Sequence, residues 1–325
     1  MDSTIKTNQP GEKNPDELMS NPAQLNVVDS EYRRPTRSYR RWEKKHKARC
    51  KAQREEIALR EEETIRKAEE LFWRKVDETD GFDIEIEGAP CRFGGMSVHK
   101  GGADCPLVVQ LYAKVGLHRY NMLQGTNLHL HEIEKYVLVC TFMPVAYYIT
   151  LIAQDPATSS FVVFQTQVDQ RDLGQMDFSC FISRPKGLIY YRFLYKVGNT
   201  LMNDIDNVAA LISPSLFASQ LQKSDWEEHD WIHLYMEIVF FYRDRWLNHN
   251  MSDLKILDVV LETSEDLPYE TVLKSLRNVT VYIRYDQDLG ADGVCKHIAI
   301  VRRTVEPTTH CVCLLGDSHL VPDSV

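Results

Sequence analysis

The sequence has no run of about eighteen apolar residues, so no helical membrane span is expected. Its opening residues, MDSTIKTNQPGEKNPDELMSNPAQ, lack the apolar stretch of a secretory leader. The eight cysteines (Cys50, Cys91, Cys105, Cys140, Cys180, Cys295, Cys311 and Cys313) therefore read as reduced thiols, in the nucleus or the cytoplasm, and not as a disulfide framework. Also missing are a phosphate-binding Walker loop, a dinucleotide fingerprint, a nucleophile elbow and a His-Glu-x-x-His pair. Those absences leave the chain without a recognisable catalytic or cofactor signature. A non-enzymatic protein with no cofactor is the expectation.

Proline and glycine are absent from Ser38 to Asp77, where Arg, Lys, Glu and Ala dominate, all good helix formers. One long charged helix is expected over residues 39–78, with Ser38 as its cap, after a polar tail at 1–38 that reads as disordered. Charge is unevenly distributed along the chain. The segment RRPTRSYRRWEKKHKARCKAQR, residues 33–54, carries eleven Lys or Arg and the single acid Glu43, whereas the whole chain has a net charge of −9. Setting that +10 aside leaves about −19 on everything else, a surface that repels polyanions.

The basic clusters Arg33, Arg34, Arg40, Arg41, Lys44, Lys45, Lys47 and Arg49 are candidates for a nuclear address, which needs only exposed cations. A zipper-type base reader fits poorly. Positions 59, 66 and 73 are Leu, Arg and Trp, and no asparagine occurs within 33–54. Contact with nucleic acid is thus expected to be independent of sequence. Ala58, Ile65, Ala68, Phe72 and Val76 share one helical face, a stripe suited to a protein partner, to self-association through residues 39–78 in a short coiled coil, or to docking of the last three turns on the following domain.

From residue 80 to 320 the texture becomes α+β, divisible near residue 222 into units of about 80–222 and 223–320. Asp104-Cys105-Pro106 reads as a helix start, with Asp104 as the cap and Gly116 near the helix end. Strand-like runs follow: NLHLHEIEKYVLVCTF, AYYITLIAQ, SFVVFQTQV and MDFSCFI. A second group comprises DWIHLYMEIVFFYRDRW, LKILDVVLET, VTVYIRYD, KHIAIVRRTV and THCVCLL. Between the groups, NDIDNVAALISPSLFASQLQ reads as helical or irregular. Short connections imply antiparallel pairing.

Each chemical candidate has a structural reading that suits it better. Cys311-Val312-Cys313 with His310 falls short of a zinc set and reads as buried thiols. His129 and His131 read as the polar side of an amphipathic strand. DQDLGADG, residues 286–293, has Ala291 and His297 where a calcium loop needs Gly and Glu, so a hairpin turn is expected. Asp317-Ser318-His319 are adjacent and make no triad, and Glu227-Glu228 read as surface charge.

Two blocks, YAKVGLHRYNMLQGTNLHL (112–130) and AYYITLIAQDPATSSFVVFQTQV (146–168), resemble a family of crucifer plant proteins named after "male sterility five". The resemblance implies a cystatin-like domain, an antiparallel sheet wrapped on a helix, spanning about 80–315. It further implies a nuclear factor with protein partners in early male meiosis, during chromosome pairing and synapsis. A cystatin-like fold raises protease inhibition as the alternative. However, the chain has no Gln-x-Val and no Pro-Trp, and Gln165-Thr166-Gln167-Val168-Asp169 lacks the inhibitory spacing and glycine.

Overall fold

Residues 36–84, 95–140, 144–188, 217–244 and 253–321 are described by the computed structural model; the expected tail, up to residue 35, and the candidates Arg33 and Arg34 lie outside the described residues. The first helix, α1 (Arg37–Thr79), is opened by Thr36 rather than Ser38. The Tyr39 N–H donates to Thr36 Oγ1 at 3.3 Å, and the Arg40 N–H donates to the Thr36 carbonyl at 3.0 Å. Ion pairs one turn apart, among them Glu43–Lys47, Glu56–Arg60 and Arg74–Glu78, run along its surface. Of its 43 residues, Phe72 and Val76 are buried. The chain divides into two compact units at Glu63 and Thr64, inside this helix.

The second unit is α+β. Its sheet has ten antiparallel strands: β1 (Met96–Lys100), β2 (His129–Val139), β3 (Val145–Asp155), β4 (Ser160–Gln170), β5 (Met176–Pro185), β6 (Phe217–Gln220), β7 (Leu254–Thr263), β8 (Val279–Asp288), β9 (Val294–Val305) and β10 (Val312–Leu320). They lie in the order β1-β2-β3-β4-β5-β10-β9-β8-β7-β6. That order reads as a palindrome about the β5–β10 seam, where Cys180 is opposite Val312. The chain builds each half the same way: an edge strand, helix, then a four-strand meander. The helix of the first half is α2 (Leu107–Gln124). That of the second is α4 (Asp230–Arg243), preceded by the short α3 (Lys223–Glu227); α5 (Tyr269–Lys274) links β7 to β8. The expected helix-plus-sheet unit is therefore present twice in one continuous sheet.

Both long helices lie on one face of the sheet and run antiparallel to each other. Tyr112 near the start of α2 meets Tyr242 near the end of α4 through their hydroxyls, while His118 meets Tyr235 and Trp231 further along. The core between helices and sheet is continuous across the seam, from Val109, Ile149 and Phe164 to Ile238, Val281 and Val301.

Four local readings are corrected. DWIHLYMEIVFFYRDRW is grouped with the strands, but its residues Asp230–Arg243 form helix α4; residues 245–246 lie outside the described residues. Nine of the fourteen residues of α4 are buried, because it is wedged between sheet and α2. Besides Arg243 at its end, only the narrow face of Asp230, His233, Glu237 and Phe241, spaced three and four apart, is less buried, and the apolar run around it resembles a buried strand. Asp104 is not the cap of α2; Pro106 occupies that position, with no side-chain cap. Gly116 does not end the helix, which runs eight residues further, to Gln124, and is closed by the left-handed Gly125. It lets the helix approach the sheet: a Cβ there would lie 2.2 Å from Thr166 Oγ1. Finally, Phe217–Gln220, within a stretch read as helical or irregular, forms edge strand β6; the part of that stretch before residue 217 lies outside the described residues.

Candidate interaction helix and interhelical cleft

In the first unit, the cations of the basic segment are displayed rather than used. Arg40, Arg41, Lys44, Lys45, Lys47 and Arg49 are all exposed. Lys47 pairs with Glu43 at 2.8 Å. Among the described residues, Arg40, Arg41, Lys44, Lys45 and Arg49 have no acidic partner. Acid is missing from the first helical turn and base from the last. Charge therefore runs against the helix dipole, which favours anions at the amino end.

The stripe divides along its length. Ala58 and Ile65 are exposed, Ala68 is half-buried, and Phe72 and Val76 are buried with Ile84 and Val137, flanked by Met96 and Tyr148. All but Ala58 belong to the second unit. The anchorage continues beyond the helix. Asp80 and Gly81 take positive φ (51° and 84°), and the Gly81 N–H donates back to the Val76 carbonyl at 3.0 Å, which turns the chain across the sheet. Asp80 then pairs with Arg184 of β5 at 2.6 Å, and Phe82 sits edge-on to Tyr148 of β3 and beneath the Arg184 guanidinium. Asp83 is held by Lys135 at 2.6 Å and Lys186 at 3.1 Å. Burial pushes the Asp83 carboxyl up, but the hydrogen bonds from these two lysines outweigh it and leave it below its ordinary value.

The block Gly116–Asn127, which carries the family resemblance, is a set of structural contacts. Arg119 donates through Nε to the His310 carbonyl at 2.7 Å and through Nη2 to the Thr309 carbonyl at 3.1 Å, tying α2 to the β9–β10 turn. Tyr120 packs edge-on against Phe164. Asn121 closes the loop after the helix. Its Nδ2 donates to the Leu128 carbonyl, and its Oδ1 accepts from Leu128 N–H and Thr126 Oγ1, all within 2.9 Å.

His118 belongs to a buried network that the sequence reading missed. Arg303, fully buried, donates through Nε to the Arg277 carbonyl at 2.8 Å and through Nη2 to the Ser275 carbonyl at 3.3 Å. Its Nη1 reaches Tyr235 Oη and His118 Nε2, each at 3.4 Å, and its guanidinium lies 4.9 Å from the Trp231 ring centroid. Among the described residues, no carboxylate pairs with it. Burial, and then Arg303, hold His118 well below the ordinary imidazole range, so it stays neutral and accepts. The alternation in IAIVRRTV carried a signal, since Ala299, Val301 and Arg303 share the buried face.

Against this network, with His118 and Trp231 in its wall, a cleft of about 660 Å³ opens between the carboxyl end of α2 and the amino end of α4. Leu117, Met122, Trp231 and Leu234 supply its apolar surface, and Lys114, His229, Asp230, His233, Glu237 and Lys274 its polar rim. Several rim groups are already engaged: Lys114 pairs with Glu237 at 3.0 Å, and His229 Nδ1 donates to the Asp225 carbonyl at 2.6 Å. The cleft joins residues more than a hundred positions apart, so no local motif announced it.

The remaining candidates do not assemble into chemistry. The Cys311 thiol donates to Cys313, which is drawn down to about 6 by that bond and by Ser179 Oγ at 3.2 Å, while Cys311 is pushed well above its ordinary value. His129 and His131 are exposed, and a register shift between Leu130 and Glu132 puts His131 at a bulge against Phe161. Among the described residues, no three His, Cys, Asp or Glu side chains are placed to hold a metal ion. Gly290–Asp292 forms a 3₁₀ turn closing the β8–β9 hairpin. Ser318 bonds to Tyr285 Oη at 2.9 Å, away from any triad. Gln165 and Gln167 lie buried inside β4, not on an exposed hairpin of the kind a protease inhibitor inserts. No described helix is long and apolar enough to cross a membrane.

Comparison with known proteins places these features in a group. A family model described as Protein MS5 matches residues 213–314. The UPF0725 protein At1g02770 of Arabidopsis thaliana is 35 % identical over 273 residues, covering 77 % of this chain and 84 % of that protein. The UPF0725 protein EMB2204 of the same plant is 31 % identical over 263 residues, covering 74 % and 77 %. A crystal structure of MS5 from Brassica napus shares 73 % identity and a TM-score of 0.57, covering 67 % of this chain and all of that one.

Proposed function

Because the chain belongs to the plant MS5 family, we propose that it is a non-enzymatic nuclear interaction factor, needed for pollen fertility and acting in early male meiosis as chromosomes pair and synapse. The observation that carries this reading is the exposed basic half of α1, whose unpaired cations stand ready for an import receptor. Its stripe supplies a protein-docking or self-associating face at Ala58 and Ile65, upstream of the anchored Phe72 and Val76. The non-enzymatic part is supported by His118, Arg303 and Lys114, which sit in or beside the cleft and make structural bonds.

The test is fluorescence localisation in male meiocytes. The full chain is compared with a variant in which Arg40, Arg41, Lys44, Lys45, Lys47 and Arg49 are changed to Gln. Nuclear signal lost in the variant supports the address, and isolation of bound partners from the wild-type chain follows. Cytosolic signal for both chains sinks the nuclear role.

A further inference from the structure

The basic half of α1 carries more than charge. Tyr39, Trp42 and His46, spaced three and four residues apart, form a ladder of rings along one face of the helix. Tyr39 and Trp42 have centroids 5.8 Å apart and tilted by 36°, and Trp42 and His46 are stacked at 5.1 Å and 8°. Tyr39 is 52 % and Trp42 58 % exposed. Large rings this open on an otherwise charged helix gain little from folding, because they stay in water. Lys45, Arg49 and Arg54 flank the ladder at helical spacing, Lys45 three residues after Trp42 and Arg49 three after His46; Arg37, Arg40, Arg41 and Lys44 lie round the rest of the helix, and none of the seven has an acidic partner among the described residues.

We infer that this face binds single-stranded nucleic acid, with the rings stacking on bases and the surrounding cations holding the phosphates. The two parts have separate roles. Unpaired cations attract any polyanion and release its counterions, whatever its chemistry. Flat faces select among polyanions: unpaired bases offer π-surfaces to stack on, whereas a duplex keeps its bases stacked internally and an acidic polypeptide has none to offer. An import receptor or an acidic protein accounts for the cations and leaves the rings without a role. Polyanion binding also supplies negative charge at the amino end of a helix that has no acid in its first turn. Stacking is indifferent to base identity, in keeping with the missing base-reading asparagine. This goes beyond the proposed nuclear role and is independent of it, since cytosolic RNA would be bound in the same way.

The experiment measures anisotropy of a labelled oligothymidylate titrated with the full chain, across a salt series. One variant carries Tyr39→Ala and Trp42→Ala and keeps every charge. A second carries Lys45, Arg49 and Arg54→Gln and keeps the rings. Both substitutions preserve helix propensity, and circular dichroism confirms an unchanged fold. Expected are binding by the wild-type chain, affinity about tenfold weaker or more in the ring variant, and a shallower salt dependence in the charge variant. Duplex binding should be unmoved by the ring substitutions. The inference is overturned if the ring variant binds the single strand as tightly as wild type, which leaves simple charge attraction. Polyglutamate competing as well as the oligonucleotide at equal charge overturns it in favour of an acidic protein partner. Absence of binding at low salt overturns it outright. Because the ring variant retains every cation of the proposed address, nuclear import and oligonucleotide binding can fail separately.

Discussion

Helices α1 and α4 are made by opposite means. The first has 43 residues and buries two of them; the second has fourteen and buries nine. Residues with high helix propensity and ion pairs one turn apart sustain α1, whereas α4 is held by what it touches. The contrast separates function from stability: substitutions on α1 before residue 72 should change what the protein meets, and those around α4 should change whether it folds.

The largest expected effect is on the α4 side. Arg303→Met takes the donor from the buried Tyr235 hydroxyl and from the partly buried Arg277 and Ser275 carbonyls, and should cost about 2–4 kcal/mol in denaturant unfolding. An undiminished midpoint would show that these acceptors find other partners. Phe72→Ala comes next, at about 2–4 kcal/mol, since it empties the small cluster with Val76, Ile84 and Val137. It sharpens the boundary within α1, because Ile65→Ala, about two turns earlier and exposed, should leave the midpoint unmoved. Gly116→Ala should cost about 1–3 kcal/mol through the clash with Thr166, measurable in the same assay.

A pH series gives a graded test. His118 is held well below its ordinary value and His297 at about 4, in both cases by burial first and then by a neighbouring arginine. Both must stay neutral in the fold while the unfolded chain takes up protons below about pH 6.5. The unfolded state then binds more protons, so stability falls as pH drops from 6.5 toward 4, by up to about 1.4 kcal/mol per pH unit for each group. His118→Gln should flatten part of that fall, and an unchanged pH profile would show that the imidazole is protonated in the fold. The smallest effect is that of the six Lys or Arg to Gln changes on α1, which should alter localisation and leave the unfolding midpoint in place.

The same contrast explains how much could be read from the sequence. Strands β2 to β5 and β7 to β10 were legible because each keeps apolar side chains on the core side, and α1 was legible from composition alone. Helix α4 was not, because only a narrow face (Asp230, His233, Glu237) carries its period and the apolar run around it looks like a buried strand. Gly116 looked like a helix end because its purpose, contact with Thr166, lies in a strand fifty residues later. Of the surfaces, the basic face could be seen in advance, since it depends on neighbours in sequence. The cleft and the Arg303 network could not, although alternation along β9 already turned Arg303 inward.

The palindromic sheet has a consequence for order of assembly. Each meander pairs strands close in sequence, but the seam joins Cys180 to Val312 and must wait for both halves. Until it closes, β5 and β10 are bare edges, open to pairing with other chains. A fragment limited to 213–314, the stretch matched by the family model, would keep only the first three residues of β10, leave β9 a bare edge along most of its length and deprive α4 of α2. Such a fragment is a poor unit to express alone; the two halves complete each other as a dimer's subunits would, and the chain between them keeps their ratio at one to one.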